Sequence, residues 1–170
     1  MKKILILFIP LLIGLNKSNA QVILPLGLGQ VNSLNVTCSN GDKLWVISDE
    51  QKNFEVNKWD GNFWIRYNSI PAYILSQISS NHDSIEAKAI EYHNGELYAA
   101  FAHKSSGKLL LIKSGGRNWN IIKTDKIAVE KNLEFVTTRN NDLLLCGKII
   151  IDKLLISVLK VSEADCSIFA

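Results

Sequence analysis

The chain repeats itself at an interval of roughly fifty residues, and a repeat of that length restricts the fold more than any other feature of the sequence. Asn40-Gly41-Asp42-Lys43-Leu44-Trp45 lines up with Asn94-Gly95-Glu96-Leu97-Tyr98, and more weakly with Asn141-Asp142-Leu143-Leu144. Further along each unit, Lys58-Trp59-Asp60-Gly61-Asn62-Phe63-Trp64 matches Lys113-Ser114-Gly115-Gly116-Arg117-Asn118-Trp119. Two matches in the same order make chance a poor explanation. A unit this short cannot bury both of its faces alone, so neighbouring units must stack and share cores.

Within each unit the pattern is that of short strands. Apolar or alternating runs rich in β-branched and aromatic residues predict strands at 34–38, 43–48, 54–59 and 63–67, then at 85–92, 96–103, 108–113 and 119–123, then at 133–139, 142–149 and 153–161. The connectors inside the groups are Asn40-Gly41, Asp60-Gly61, Asn94-Gly95, Ser106-Gly107, Gly115-Gly116 and Asn140-Asn141. Asn and Gly accept the positive φ of tight hairpin turns, so consecutive strands should pair antiparallel. The expected fold is all-β: four-stranded antiparallel meander sheets repeated about three times, as in the blades of a β-propeller. The repeat units are 34–67, 85–123 and 133–170. Longer connectors at 68–84 and 124–132 join them, the first apolar enough for a short helix or packed loop. The third unit reads as three strands with a fourth starting at Ile168 and Phe169. Three blades are fewer than the usual ring of four to eight, so an incomplete or open propeller, or a ring completed by several chains, is expected. Val22-Ile23-Leu24, in the segment 21–33, is a candidate closing strand for the third unit.

Ahead of the repeats, Lys2 and Lys3, an apolar run over 4–15 and the small residues Ser18-Asn19-Ala20 follow the order of a secretory signal peptide, residues 1–20. The apolar run is shorter than the roughly 20 residues that span a bilayer. The expectation is a secreted, extracellular, cell-surface or periplasmic protein with no membrane span after cleavage. Lys2, Lys3 and Lys17 account for the whole net charge of +3, and no acid precedes residue 21. The remainder is balanced and has no basic block, which argues against nucleic acid as a partner. Cys38, Cys146 and Cys166 are an odd number for an exported chain and exclude a disulfide-stapled scaffold. Cys38 and Cys146 sit in apolar strands, where a free cysteine is usually a small buried hydrophobe.

No constellation of reactive residues stands out. His82, His93 and His103 lack metal-ligand spacing, and the last two occupy positions expected to be exposed. Asp49-Glu50 reads as a solvated turn rather than a hydrolytic carboxylate pair. Trp45, Trp59, Trp64, Tyr67, Tyr98 and Trp119 could stack on sugars, but Trp64 and Trp119 recur at one place in the repeat, as packing between sheets requires. No catalytic, cofactor-binding or metal-binding residue is assigned.

The order Asn-Gly-x-Leu-Tyr at 94–98, an apolar strand, and Trp-Asp-Gly-x-x-Trp at 59–64 resembles the kelch-like propeller repeats of exported bacterial proteins. The resemblance covers residues 34–161 and speaks for the fold, carrying almost nothing about function; with no reactive constellation in the chain, the expectation is a non-enzymatic module for binding or surface display, with a protein or glycan partner. Second in rank, Ser114-Gly115-Gly116-Arg117-Asn118-Trp119 is similar to the Asp-box turn of sialidase-like propellers, though without its central Asp. That alternative implies a carbohydrate-active enzyme or a fragment of one. It is weakened because Arg66, Arg117 and Arg139 are dispersed over three units.

Overall fold

The computed structural model describes residues 34–40, 43–50, 53–116, 118–124, 126–162 and 165–168. They form three four-stranded antiparallel sheets. The first contains β1 (Leu34–Asn40), β2 (Lys43–Glu50), β3 (Asn53–Trp59) and β4 (Trp64–Ser69). The second contains β5 (Ile85–His93), β6 (Glu96–His103), β7 (Leu109–Ser114) and β8 (Trp119–Ile122). The third contains β9 (Ile127–Thr137), β10 (Leu143–Ile151), β11 (Leu154–Val161) and β12 (Cys166–Ile168). In each sheet spatial order follows chain order, which is the meander expected from the hairpin turns. Asn94 and Gly95 have φ of 50° and 86°, and Asn141 has φ of 64°, so the repeated turns use the left-handed region that these residues tolerate. Gly41 of the Asn40-Gly41 turn and the segment 21–33 with Val22-Ile23-Leu24 lie outside the described residues.

The sheets stack through shared cores, and side-chain alternation on the middle sheet shows how. On β6, Leu97, Ala99 and Phe101 face the first sheet, while Tyr98, Ala100 and Ala102 face the third. On β7, Leu110 and Ile112 face one way and Leu109 and Leu111 the other. A sheet buried on both faces needs apolar residues at every position, which is why its strands read as continuous runs. The first strand of each sheet lies beside that of the next: β1 packs along β5, and β5 along β9. The sheets therefore radiate from a common line of inner strands, as in an open propeller.

Repeat-equivalent residues occupy equivalent places. Trp45 of the first sheet stacks on Tyr92 of the second at 5.4 Å and 8°, and Tyr98 of the second meets Phe135 of the third edge-on at 6.5 Å. The turn asparagines are also joined, with Asn141 Nδ2 donating to Asn94 Oδ1 at 2.9 Å. Residues 68–84 carry a short helix, α1 (Ala72–Leu75), and a 3-10 turn at His82–Ser84. Ile74 and Leu75 of that helix close one end of the first core.

Two expectations change. The inner strand of the third sheet begins at Ile127 rather than 133, so the second connector is short. An irregularity opposite Gly147 and Ile149 breaks the alternation over 130–132 and hides the first half of the strand. The third sheet also has its fourth strand: β12 pairs with β11 through Val161↔Cys166 and Leu159↔Ile168.

Candidate ligand groove between the inner strands

Where β1, β5 and β9 converge, their middle stretches line an open groove of about 350 Å³. Each is the edge strand of its sheet, so one flank of its backbone is not used in strand pairing. The lining is polar where it meets solvent: Thr37 and Ser39 from β1, Lys88 and Glu91 from β5, and Glu134 from β9. Lys88 is neutralised by Glu86 at 2.8 Å, which leaves Glu91 and Glu134 as the groove's excess charge. Neither carboxylate has an ion-pair partner among the described residues.

Burial raises the Glu91 carboxyl above its ordinary range, partly offset by the Tyr92 backbone N–H that it accepts from. Across the strand gap, burial and then the Glu91 charge push the Cys38 thiol up to about 12. Cys146, paired in register with Glu134, is raised in the same way, by burial first and then by that carboxylate. Cys166 is pushed up to about 12 by burial and by Asp165. All three cysteines are free and half-buried, so Cys38 and Cys146 are less enclosed than the sequence reading expected, and the upward shifts keep all three thiols neutral and poorly nucleophilic.

The remaining residues singled out by the sequence are not gathered at the groove. Trp45, Tyr98 and Trp119 are buried between sheets. Trp59 and Trp64 pair at 5.6 Å on the outer face of the first sheet, and Tyr67 meets Trp45 edge-on at 4.8 Å. Asp49 faces His82, 3.6 Å away, and His82 stacks on Phe54 at 4.6 Å. His93 is not exposed as expected. It is buried between the second and third sheets, with Thr137 Oγ1 3.3 Å from Nδ1 and Asn94 Nδ2 3.0 Å from Nε2. The expectation failed because a turn-flanking position was assumed to face solvent, whereas stacking of the next sheet closes over it. His103 is half-buried and accepts from the Ser106 N–H at 3.2 Å, holding its hairpin turn together. Arg66 pairs with the buried Glu55, Arg139 is exposed in a turn, and Arg117 lies outside the described residues. Among the described residues no group of three or more His, Cys, Asp or Glu could hold a metal ion, and no helix is long and apolar enough to cross a membrane.

Glu91 and Glu134 were missed in the sequence. Each sits in an alternating strand like any solvated acid, and only the convergence of strands some fifty residues apart brings them to one groove.

No family model matches the chain, and no curated protein matches it. Among solved structures it is similar to a bifunctional GH43-CE protein of Bacteroides eggerthii, at 15% identity and a TM-score of 0.46. That likeness covers 75% of this chain and 19% of the other, so the chain spans about a fifth of its neighbour's length. The propeller-like fold stands on the three meander sheets and their inner-strand arrangement; nothing in the comparisons extends the resemblance to kelch repeats in particular.

Proposed function

We propose that this chain is an exported, non-enzymatic, propeller-like module that binds an extended segment of a partner protein in the groove between its inner strands. The observation that carries the reading is the convergence of three edge strands on one polar groove. Edge strands offer backbone donors and acceptors to an extended peptide, and flanking side chains select its sequence. Glu91 and Glu134 favour a segment bearing Lys or Arg. A glycan is the weaker partner in this groove because Trp45, Trp119 and Tyr98 are held in the cores, at 3%, 5% and 6% exposed, and Trp59 and Trp64 are not among the groove's lining residues.

Export rests on the order of charge, apolar run and small residues over 1–20. Its test is the N-terminal sequence of protein recovered outside the cytoplasm, with Gln21 as the expected first residue. For binding, a peptide array and a glycan array are probed with the wild-type chain and with Ser39→Arg, an exposed position whose new side chain fills the groove. Basic peptides retained by wild type and lost by Ser39→Arg are the expected result. Binding unaffected by that change would remove the groove from the account.

A carbohydrate-active reading is kept for one observation. A carboxyl raised by burial and a second, exposed carboxylate share the groove, and unlike pairs of acids can divide general acid and base roles. Turnover of an aryl-glycoside panel, lost in both Glu91→Gln and Glu134→Gln, would establish it over the binding module.

A further inference from the structure

The first sheet ends the stack, yet its outer face is buried. On β2 and β3, Trp45, Ile47, Phe54 and Val56 point into the core shared with the second sheet. By strand alternation Val46, Ser48, Glu55, Asn57 and Trp59 point the other way. Val46 and Ser48 are 0% exposed there, and Glu55 and Asn57 6%. An antiparallel sheet with one face in water would leave such positions open. Val46 belongs to neither of the two cores between sheets. Trp59 and its register partner Trp64 belong to neither core, yet both are half-buried, and the Trp64 Nε1 is shielded from water with no acceptor among the described residues.

The polar side chains on this face are satisfied within the sheet: Asn57 Nδ2 donates to Ser48 Oγ at 3.1 Å, and Glu55 pairs with Arg66. An apolar cover therefore leaves no polar group stranded. Residues 21–33 have that chemistry. Val22, Ile23, Leu24, Leu26 and Leu28 are apolar, and no charged residue occurs between Lys17 and Asp42.

The segment also arrives at the right place. Leu34, where β1 begins, stands opposite Ser48 at one end of the face, and the Trp59–Trp64 pair stands toward the other. A diagonal path between them is roughly 18 Å at about 3.3 Å per residue and about 4.8 Å between strands, so roughly six extended residues cross it. Residues 21–33 supply more than that. The other stretches outside the described residues, between and after the strands, are one or two residues long and too short for the task. The third sheet has no need of the segment as a closing strand, because β12 already pairs with β11.

We propose that residues 21–33 fold back over the outer face of the first sheet of their own chain, with the apolar run from Val22 to Leu28 resting on Val46, Trp59 and Trp64. The segment then caps the stack, as terminal units of repeat proteins are capped.

Nuclear Overhauser contacts from the Val46 methyl groups test this on the chain beginning at Gln21; that start rests on the proposed cleavage, which N-terminal sequencing checks separately. The expected result is contacts from Val46 to methyl groups within 22–28 of the same chain, unchanged on dilution. Leu24→Asp combined with Leu26→Asp leaves both inter-sheet cores untouched. It should abolish those contacts, shift tryptophan emission to the red and speed amide exchange in β2 and β3 roughly tenfold, with β10 and β11 unaffected. Val46 contacts confined to residues 34–168 overturn the proposal, as does a double variant indistinguishable from wild type. Contacts seen only between differently labelled chains in a mixture would make a second copy the cover. Contacts from Val22, Ile23 and Leu24 to β12 would place the segment on the third sheet. Either result overturns the proposal as well.

Discussion

Replacing Trp45 with Ala tests whether the three sheets are held in series. Trp45 is buried, stacks on Tyr92, meets Tyr67 edge-on and lies under Lys58 Nζ at 5.3 Å. Truncating a buried aromatic residue to Ala costs about 3–5 kcal/mol through lost burial and the cavity left behind. In a stack where each sheet touches only its neighbours, that loss falls first on the first sheet. At about 1.4 kcal/mol per decade, about 4 kcal/mol corresponds to a roughly thousandfold increase in local opening. Native-state hydrogen exchange reads it directly. Amides of β2 and β3 should exchange roughly a thousandfold faster, while those of β10 and β11 keep their protection because their core is formed with the middle sheet alone. Trp45→Phe supplies the internal control. It gives up about 1 kcal/mol of burial, but it also removes an indole N–H that is buried without an acceptor, a burden of about 1–3 kcal/mol. The two effects nearly cancel, and stability should change by no more than about 1 kcal/mol. Equal acceleration in the first and third sheets would refute the serial arrangement. A Phe variant as damaged as the Ala variant would refute the accounting for the indole.

Gly107 has φ of 68°, and a Cβ there would come within 2.2 Å of the Val129 carbonyl oxygen; Gly107→Ala should therefore lower the urea midpoint and raise exchange at Val129, whose N–H donates to Gly107. Glu91, raised above the ordinary value of 4.5, is neutral in both states at lower pH; as pH rises past that value the unfolded chain ionises first, so stability falls until the folded group ionises as well. Thermal midpoints measured across that window should decline in wild type and stay flatter in Glu91→Gln. Cys38 and Cys166, both pushed up to about 12, should react with a thiol reagent at pH 8 far more slowly in the native protein than in denaturant, and equal rates would contradict their burial.

The repeat and its turns were legible because they are written in local chemistry. Asn94-Gly95 and Asn141 adopt the positive φ their identities predict, and Trp45 and Tyr98 do the same work one sheet apart. What escaped the sequence depends on the neighbours of a strand rather than on the strand itself. His93 is buried because the third sheet closes over a hairpin end, and the first half of β9 is masked by a break in alternation. The turn between β10 and β11 places Asp152 and Lys153 at φ of 47° and 72° with no Gly to announce it. The acids of the groove were hidden for the same reason: Glu91 and Glu134 belong to one site only after two sheets have stacked.

The two-faced middle sheet also bears on how the chain can be made. The runs at Leu97–Ala102 and Leu109–Ile112 present apolar side chains above and below, so a newly synthesised middle sheet has no side it can safely turn to water. When those strands emerge, the residues of the first sheet, 34–69, have already been synthesised and are available to shield one face. The other stays bare until the residues from Ile127 to Val161 follow. Any delay in synthesis after residue 122 would hold the chain at its most adhesive moment, and export in an unfolded state would move that moment across the membrane.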